Sequence, residues 1–345
     1  MDLKRDVAPP APGASGFLER TFRLAEHGTS VRTELLAGLT TFLTMAYIVF
    51  INPSILADAG MPRGAVFVAT CLVAALGSMI MALYANYPIA LAPGMGLNAY
   101  FTYVVVQGLG FSWQAALGAV FISGLCFLVV TLTGLRALIV DGIPSSMRIA
   151  ITVGIGLFLA IIALKNAGLV AASPATFVTL GDLHKPEAIL AVIGFLMVAV
   201  LSARKVRAAL LSSILTVTVL SFVFAGNTFQ GLVSLPPSLA PTLFALDITG
   251  ALSAGLLNVI LVLFLVELFD ATGTLMGVAG RAGLLTEGRM RRLDRALMAD
   301  SAAVFAGSLL GTSSTTAYLE SASGVEEGGR TGLTAATVAV LFLAC

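Results

Sequence analysis

Apolar runs long enough to cross a lipid bilayer recur along this whole chain, and they leave few alternatives for how it folds. A helix rises 1.5 Å per residue and needs about 20 apolar residues to span the hydrocarbon layer. Runs of that kind lie near 35–57, 65–86, 112–134, 149–165, 188–203, 208–225, 251–276 and 296–311. A soluble domain has no core large enough to bury so many. The composition agrees, with 58% hydrophobic and 11% charged residues and a mean hydropathy of +1.00. The expectation is an all-α polytopic membrane protein. A net charge of +1 says little about partners, because the placement of the charges matters more than their sum; no nucleic-acid partner is expected. Cys71, Cys126 and Cys345 lie far apart in apolar segments and are read as small core residues rather than a disulfide or metal framework.

Two further segments, near 87–108 and 312–329, are apolar but interrupted. "YPIALAPGMGLNAYFTYVVVQGLG" puts Pro93, Gly94 and Gly96 mid-span, and "LLGTSSTTAYLESASGVEEGGRTG" puts Gly311 and a hydroxyl run there. Irregular backbone at membrane depth survives only where it is buried in protein or lines a cavity, since unpaired amides and carbonyls cost several kcal/mol in lipid. Two such breaks, one in each half, mark a transporter of repeated halves with a midplane site. The closing run "ATVAVLFLAC" reads as a span that stops part-way, so the expectation is about eleven spans in a truncated chain.

Basic residues orient these spans, because cytoplasmic loops carry the Lys and Arg excess. Residues 1–30 hold no signal-peptide core and read as a cytoplasmic tail. If both interrupted segments cross, Arg136, Arg148, the "ARKVR" loop and the "RAGLLTEGRMRRLDR" loop all fall inside. The linkers 166–187 and 226–250 then face outward with only Lys185 as a base. Sliding the chain by 218 positions lays Asn98 on Thr316, Ala99 and Tyr100 on Ala317 and Tyr318, and Asn52 on Asp270. That shift spans seven crossings, an odd number, so the expected repeat is inverted.

Acids inside such a chain need a reason. Each costs roughly 2.5–3.5 kcal/mol at a helix centre, and intramembrane acids usually face a bundle interior or a pathway. Glu267 and Asp270, in "VELFDATGT", are three apart and share a helical face. Burial and repulsion disfavour their double charge, which suits a group that takes up and releases a proton; the alternative is a structural acid bonded to backbone amides. Glu320 follows the "TSSTT" run by four residues and is expected one turn inside a half-helix, pointing across the cavity, with a capping acid as the alternative. Asp300 is read mainly as a solvated acid near a helix start, with a part in proton coupling as the second choice. Glu326, Glu327 and Arg330 are expected on a surface loop, and His27 and His184 lack metal-ligand neighbours.

Four segments, "FLTMAYIVFINPSIL", "ALAPGMGLNAYFTY", "LFDATGTLMGVAG" and "GTSSTTAYLESASGVEEGGRTGLTA", resemble the signature stretches of the AzgA-like purine permeases of the nucleobase-cation symporter 2 superfamily. The resemblance runs from about residue 17 onward. It implies a seven-plus-seven inverted-repeat fold of fourteen spans, with broken third and tenth spans. It also implies a tail over 1–30, core-domain spans over 31–134 and 226–332, gate-domain spans over 135–225, and an eleventh span beginning at 333–345. The implied activity is proton-coupled uptake of hypoxanthine, guanine, adenine or xanthine by alternating access. The proton gradient supplies the energy, no cofactor is involved, and the location is a cell (inner) membrane.

By the same resemblance Asp270 and Glu320 hold the base, whose adjacent N–H groups a carboxylate accepts in a forked pair. Asn98 and Gly96 complete the site, the glycine permitting close approach to backbone. Thr44 and Thr316 are further substrate candidates; Asn52, Thr272 and Thr274 are weaker ones, because hydroxyls in membrane helices often bond only their own backbone. Glu267, Asp270 and Asp300 are the proton-coupling candidates, and a homodimer stays open. Two other readings compete. An anion carrier of the same fold is disfavoured by a cavity with carboxylates. An intramembrane acid-pair enzyme lacks metal ligands and a facing second aspartate.

Overall fold

A computed structural model describes residues 16–135, 145–174, 176–204, 206, 209–226, 235–286, 289–290 and 292–345. The contacts divide the chain into two units, Met1–Gly142 with Pro237–Cys345, and Ile143–Pro236.

The larger unit opens with a short helix α1 (Phe17–Phe22), then α2 (Val31–Met45) and α3 (Ile48–Asp58), which together form the first span. The turn at Ala46–Tyr47 divides one apolar run into two helices, and Pro53, which cannot donate to the carbonyl four residues back, lies inside the second. Helix α4 (Arg63–Ile80) continues as a π-helical turn, Met81–Ala85, and ends at Asn86, which adopts the left-handed conformation at φ 53°. The next run becomes a three-residue strand β1 (Leu91–Pro93), a five-residue helix α5 (Met95–Ala99) and a π-helical stretch, Tyr100–Gly108. Helix α6 (Trp113–Thr133) follows.

In the smaller unit, α7 (Ser145–Asn166), α8 (Pro186–Ala203) and α9 (Ala209–Phe224) are joined first by a hairpin of β2 (Val170–Ser173) and β3 (Phe177–Leu180), with Val170 opposite Leu180. Pro186 sits at the first turn of α8, where its missing amide is no loss.

The chain returns to the larger unit with α10 (Ile248–Ala251), α11 (Ala254–Arg281), a two-residue hairpin of β4 (Leu285–Thr286) and β5 (Arg289–Met290), and α12 (Leu293–Leu310). Then come β6 (Thr315–Ala317), α13 (Ser321–Glu326) and α14 (Gly332–Leu343). Among the described residues five helical segments are long and apolar enough to cross a membrane: Val31–Asp58, Arg63–Ala85, Trp113–Thr133, Pro186–Ala203 and Gly255–Arg281. Helix α12, expected as a span, has the length but carries Asp294, Arg295 and Asp300. One core packs Leu117 and Val120 of α6 against Leu256 and Leu263 of α11, and another joins Met45, Ile48 and Tyr318 to Phe342 of α14.

Both expected breaks are present, and they meet. β1 and β6 pair antiparallel, Leu91 opposite Ala317, Ala92 opposite Thr316 and Pro93 opposite Thr315. Neighbours satisfy the rest of this non-helical backbone. Gly94 N donates to Ser314 O at 2.9 Å, Tyr318 N to Ala90 O at 3.0 Å, and Ala90 N to Ser321 Oγ at 3.0 Å. Ser78 Oγ accepts from Leu91 N at 2.9 Å and donates to Leu91 O at 3.2 Å. Each of these groups left bare in lipid would cost several kcal/mol, so the helical fold contains this small sheet by necessity. Gly311 starts the second break at φ 90°, a conformation that strongly favours glycine, and a side chain there would overlap Thr242.

Two expectations change. Cys71 is buried, but Cys126 and Cys345 are exposed, as a membrane protein's outward helix faces are apolar too. Asp300 is fully buried.

Candidate functional site

Helix α11 buries Leu256, Ile260, Leu263, Glu267, Ala271, Leu275 and Val278, a stripe at the three-and-four spacing of one helical face. Glu267 therefore points where leucine otherwise would and is 1% exposed. Its Oε2 accepts from Ser123 of α6 at 3.0 Å, and its Oε1 accepts from Ser314, just before β6. One turn on, Asp270 is half-buried and its Oδ2 accepts from Thr316 Oγ1 at 3.0 Å. Two carboxylates three apart on a helix thus meet two hydroxyls two apart on an extended segment. Asp300 of α12 is 0% exposed. The expectation of a solvated helix-start acid fails because Asp300 lies in the second turn of α12, on the face with Ala296, Ala303 and Val304 that packs inward.

Glu320 is the residue that precedes α13, not one turn inside it, and it makes no capping bond. Its Oε1 accepts instead from Tyr47 Oη at 2.6 Å, which ties the break in the first span to the tenth. Tyr318 donates to Pro93 O at 2.6 Å and lies within electrostatic reach of Tyr47, Glu320 and Asp270. The half-buried acids Asp270 and Glu320 therefore flank β6 and its exit.

Asn98, fully buried in α5, donates from Nδ2 to Asn52 Oδ1. Asn52 Nδ2 in turn donates to Thr70 at 2.7 Å and Thr312 at 2.9 Å. This amide chain links α3, α4, α5 and the second break. Gly96 lies half-buried in the first turn of α5. Thr44 gives its hydroxyl to Thr41 O at 2.8 Å and Thr40 O at 3.1 Å, and Thr272 donates to Leu268 O, so both bond their own helices. Tyr47, Ser123 and Ser314 were not singled out from the sequence. Tyr47 and Ser314 stand inside quoted motifs; Ser123 is one hydroxyl in an apolar run and carries no signal. Arg330, expected on the surface, is half-buried and donates from Nη1 to Val325 O and Gly329 O, both at 2.7 Å.

The sequence profile of the Permease family (Xan_ur_permease) matches residues 32–345. The chain belongs to this family. This permease is 50% identical over 329 residues to the adenine permease AdeP of Escherichia coli strain K12, covering 95% of this chain and 74% of that protein. It is 45% identical over 330 residues to the guanine/hypoxanthine permease PbuO of Bacillus subtilis strain 168, covering 94% and 76%. In fold it is similar to the transmembrane domain of the cyanobacterial bicarbonate transporter BicA, with a TM-score of 0.64 at 18% identity over 91% of this chain and 82% of that one. It is also similar to the murine Solute Carrier 26 family member A9 anion transporter in the inward-facing state, with a TM-score of 0.64 at 11% identity over 98% and 60%. The permease is thus a multi-pass membrane protein with the seven-plus-seven inverted-repeat fold, and a transporter rather than an enzyme.

Proposed function

We propose that this permease imports purine nucleobases together with protons by alternating access, with Asp270 and Glu320 as the groups that hold the base. The observation that carries this reading is the division among the acids: Asp270 and Glu320 are half-buried beside β6, whereas Glu267 and Asp300 are fully buried behind them. Only the first pair can reach a solute. Each keeps one carboxylate oxygen on a protein hydroxyl, Thr316 or Tyr47, and has a second oxygen to accept N–H donors, which a neutral purine supplies as neighbouring pairs. Gly96, half-buried in the first turn of α5, completes the pocket; Thr316 orients Asp270, while Asn98, fully buried against Asn52, and Thr44, bonded to its own helix, act from behind it.

Glu267 and Asp300, with Asp270, form the proton-coupling group, and Ser123 and Ser314 hold Glu267 in place. Residues 31–134 and 226–332 act as the core that carries the site and 135–225 as the gate, in a cell membrane with the amino terminus inside. The relatives named for adenine and for guanine/hypoxanthine support a purine cargo.

The test is uptake of radiolabelled adenine, guanine and hypoxanthine into proteoliposomes with and without an imposed pH gradient. Uptake should follow the gradient and collapse with a protonophore. Asp270→Asn and Glu320→Gln should each lower it roughly 10- to 100-fold, the worth of one hydrogen bond to a charged group. Wild-type uptake by both variants would remove these acids from the site. A second reading, anion transport, draws on the bicarbonate and anion transporters of similar fold; bicarbonate uptake without purine uptake would establish it.

A further inference from the structure

Away from the acids, the larger unit gathers positive charge beside the far end of α4. Two adjoining clefts lie there. One, of about 490 Å³, is lined by Arg23, Glu26, Tyr84, Arg292 and Arg295 among others. The other, of about 250 Å³, shares Glu26 and Arg292 and adds His27 and Arg330. The guanidinium of Arg292 stacks over the Tyr87 ring at 5.6 Å, and that of Arg295 over Tyr84 at 5.7 Å. Arg292 also donates to Ala85 O at 3.2 Å. The single acid, Glu26, is engaged by Arg23 at 3.6 Å, and among the described residues no carboxylate pairs with Arg292 or Arg295.

The chemistry of this arrangement is specific. Stacking on an aromatic face holds a guanidinium in place while its N–H edge stays open. That planar edge matches two oxygens of a phosphate group. The flank is apolar: Leu83 is 57%, Tyr84 49% and Phe17, one turn before cleft-lining Thr21, 77% exposed. Basic pockets with apolar flanks at a membrane surface suit acidic phospholipid headgroups.

We propose that these clefts bind a phosphate-ester group, held by Arg292 and Arg295 with Arg23 and Arg330 around it, and that the apolar flank takes the acyl chains when the ligand is an anionic phospholipid. The site stands independently of the nucleobase reading; only the leaflet that supplies the ligand, the inner one, rests on the orientation given there.

The test is thermal unfolding of the purified chain in detergent, titrated separately with phosphatidylglycerol, phosphatidylcholine and inorganic phosphate. Phosphatidylglycerol should raise the melting temperature and phosphatidylcholine should not. In Arg292→Gln/Arg295→Gln the half-maximal concentration should rise roughly twenty-fivefold, about fivefold for each cation removed. Arg63→Gln, at the opposite end of α4, should respond as wild type. Protection by inorganic phosphate as well as lipid, or by phosphate alone, assigns the site to soluble phosphate compounds and upholds the phosphate chemistry. No protection of the wild type by either, or equal protection of the double variant, overturns the proposal. Should the double variant melt early without ligand, Arg295→Gln alone, at an exposed position, decides by its fivefold weakening.

Discussion

Removing the Glu34 carboxylate should detach α14 from α2. Glu34 is fully buried, and its Oε1 accepts from Arg330 N at 2.8 Å. Its Oε2 accepts from Thr331 N at 3.3 Å, Thr334 N at 3.2 Å and Thr334 Oγ1 at 2.6 Å. The first amides of a helix have no partner within it, so one side chain of α2 supplies what the start of α14 lacks. Hydrogen bonds to a charged group contribute about 1.5–3 kcal/mol each, but not additively. The 3.3 Å bond is long, and Thr331 Oγ1 accepts from Leu333 N whatever happens at Glu34. Water cannot easily substitute, because the two helices touch closely enough that a side chain on Gly38 would overlap Thr337. Glu34→Ala should therefore lose about 3–5 kcal/mol, the cost of leaving the buried amides of Arg330, Thr331 and Thr334 without an acceptor. Glu34→Gln keeps the volume and one acceptor but turns an NH2 group toward donors, for a loss of about 2–3 kcal/mol. Followed by circular dichroism at increasing temperature in detergent, Glu34→Ala should melt roughly 5–15 °C below wild type. Melting within about 1 °C of wild type would show that α14 is held by apolar packing alone and that the capping argument is wrong.

Tyr47→Phe should weaken nucleobase uptake roughly tenfold through the apparent KM at unchanged melting temperature, since Glu320 loses its 2.6 Å donor; an unaltered KM would take Tyr47 out of the site. Ser78→Ala strips both peptide groups of Leu91, and hydrogen–deuterium exchange over residues 89–94 should accelerate, with about 1–3 kcal/mol lost; unchanged exchange would contradict the role of Ser78. Gly324→Ala drives a methyl group into Ala37 O and Thr41 and should lower stability by about 1–3 kcal/mol, measurable as a fall in melting temperature. Asp247 accepts from Gly250 N at 2.9 Å and Thr249 Oγ1 at 2.7 Å, and these bonds, the Gly250 amide first, hold its carboxyl below the ordinary aspartate range. A depressed folded value means its contribution is full above about pH 4, the unfolded value, and is lost as pH falls through the folded one. Wild type should consequently lose more melting temperature between about pH 5 and pH 3 than Asp247→Asn; parallel losses would assign the acid sensitivity elsewhere.

The sequence by itself determined the class, the longest apolar spans and the breaks. Hydropathy is summed over about 20 residues, so scattered polar side chains do not obscure it, and Pro93 with Gly94 or Gly311 with "TSSTT" leaves no continuous helix to draw. It also singled out Glu267, Asp270 and Glu320, because an acid in an apolar run is conspicuous wherever it points. What such an acid touches is another matter. Ser314 and Thr316 reach Glu267 and Asp270 across 47 and 46 positions, and Tyr47 reaches Glu320 across 273. Ser123 looks like any hydroxyl in a membrane helix until α6 is laid against α11. The pairing of β1 with β6, the burial of Asp300, the cap that Glu34 lends to α14 and the stacked arginines at the end of α4 share that origin. A hydrogen bond is decided within about 3 Å, and only the packed chain brings residues that far apart in sequence to that distance. Periodicity and composition report which faces avoid water; tertiary structure alone reports which polar group answers which.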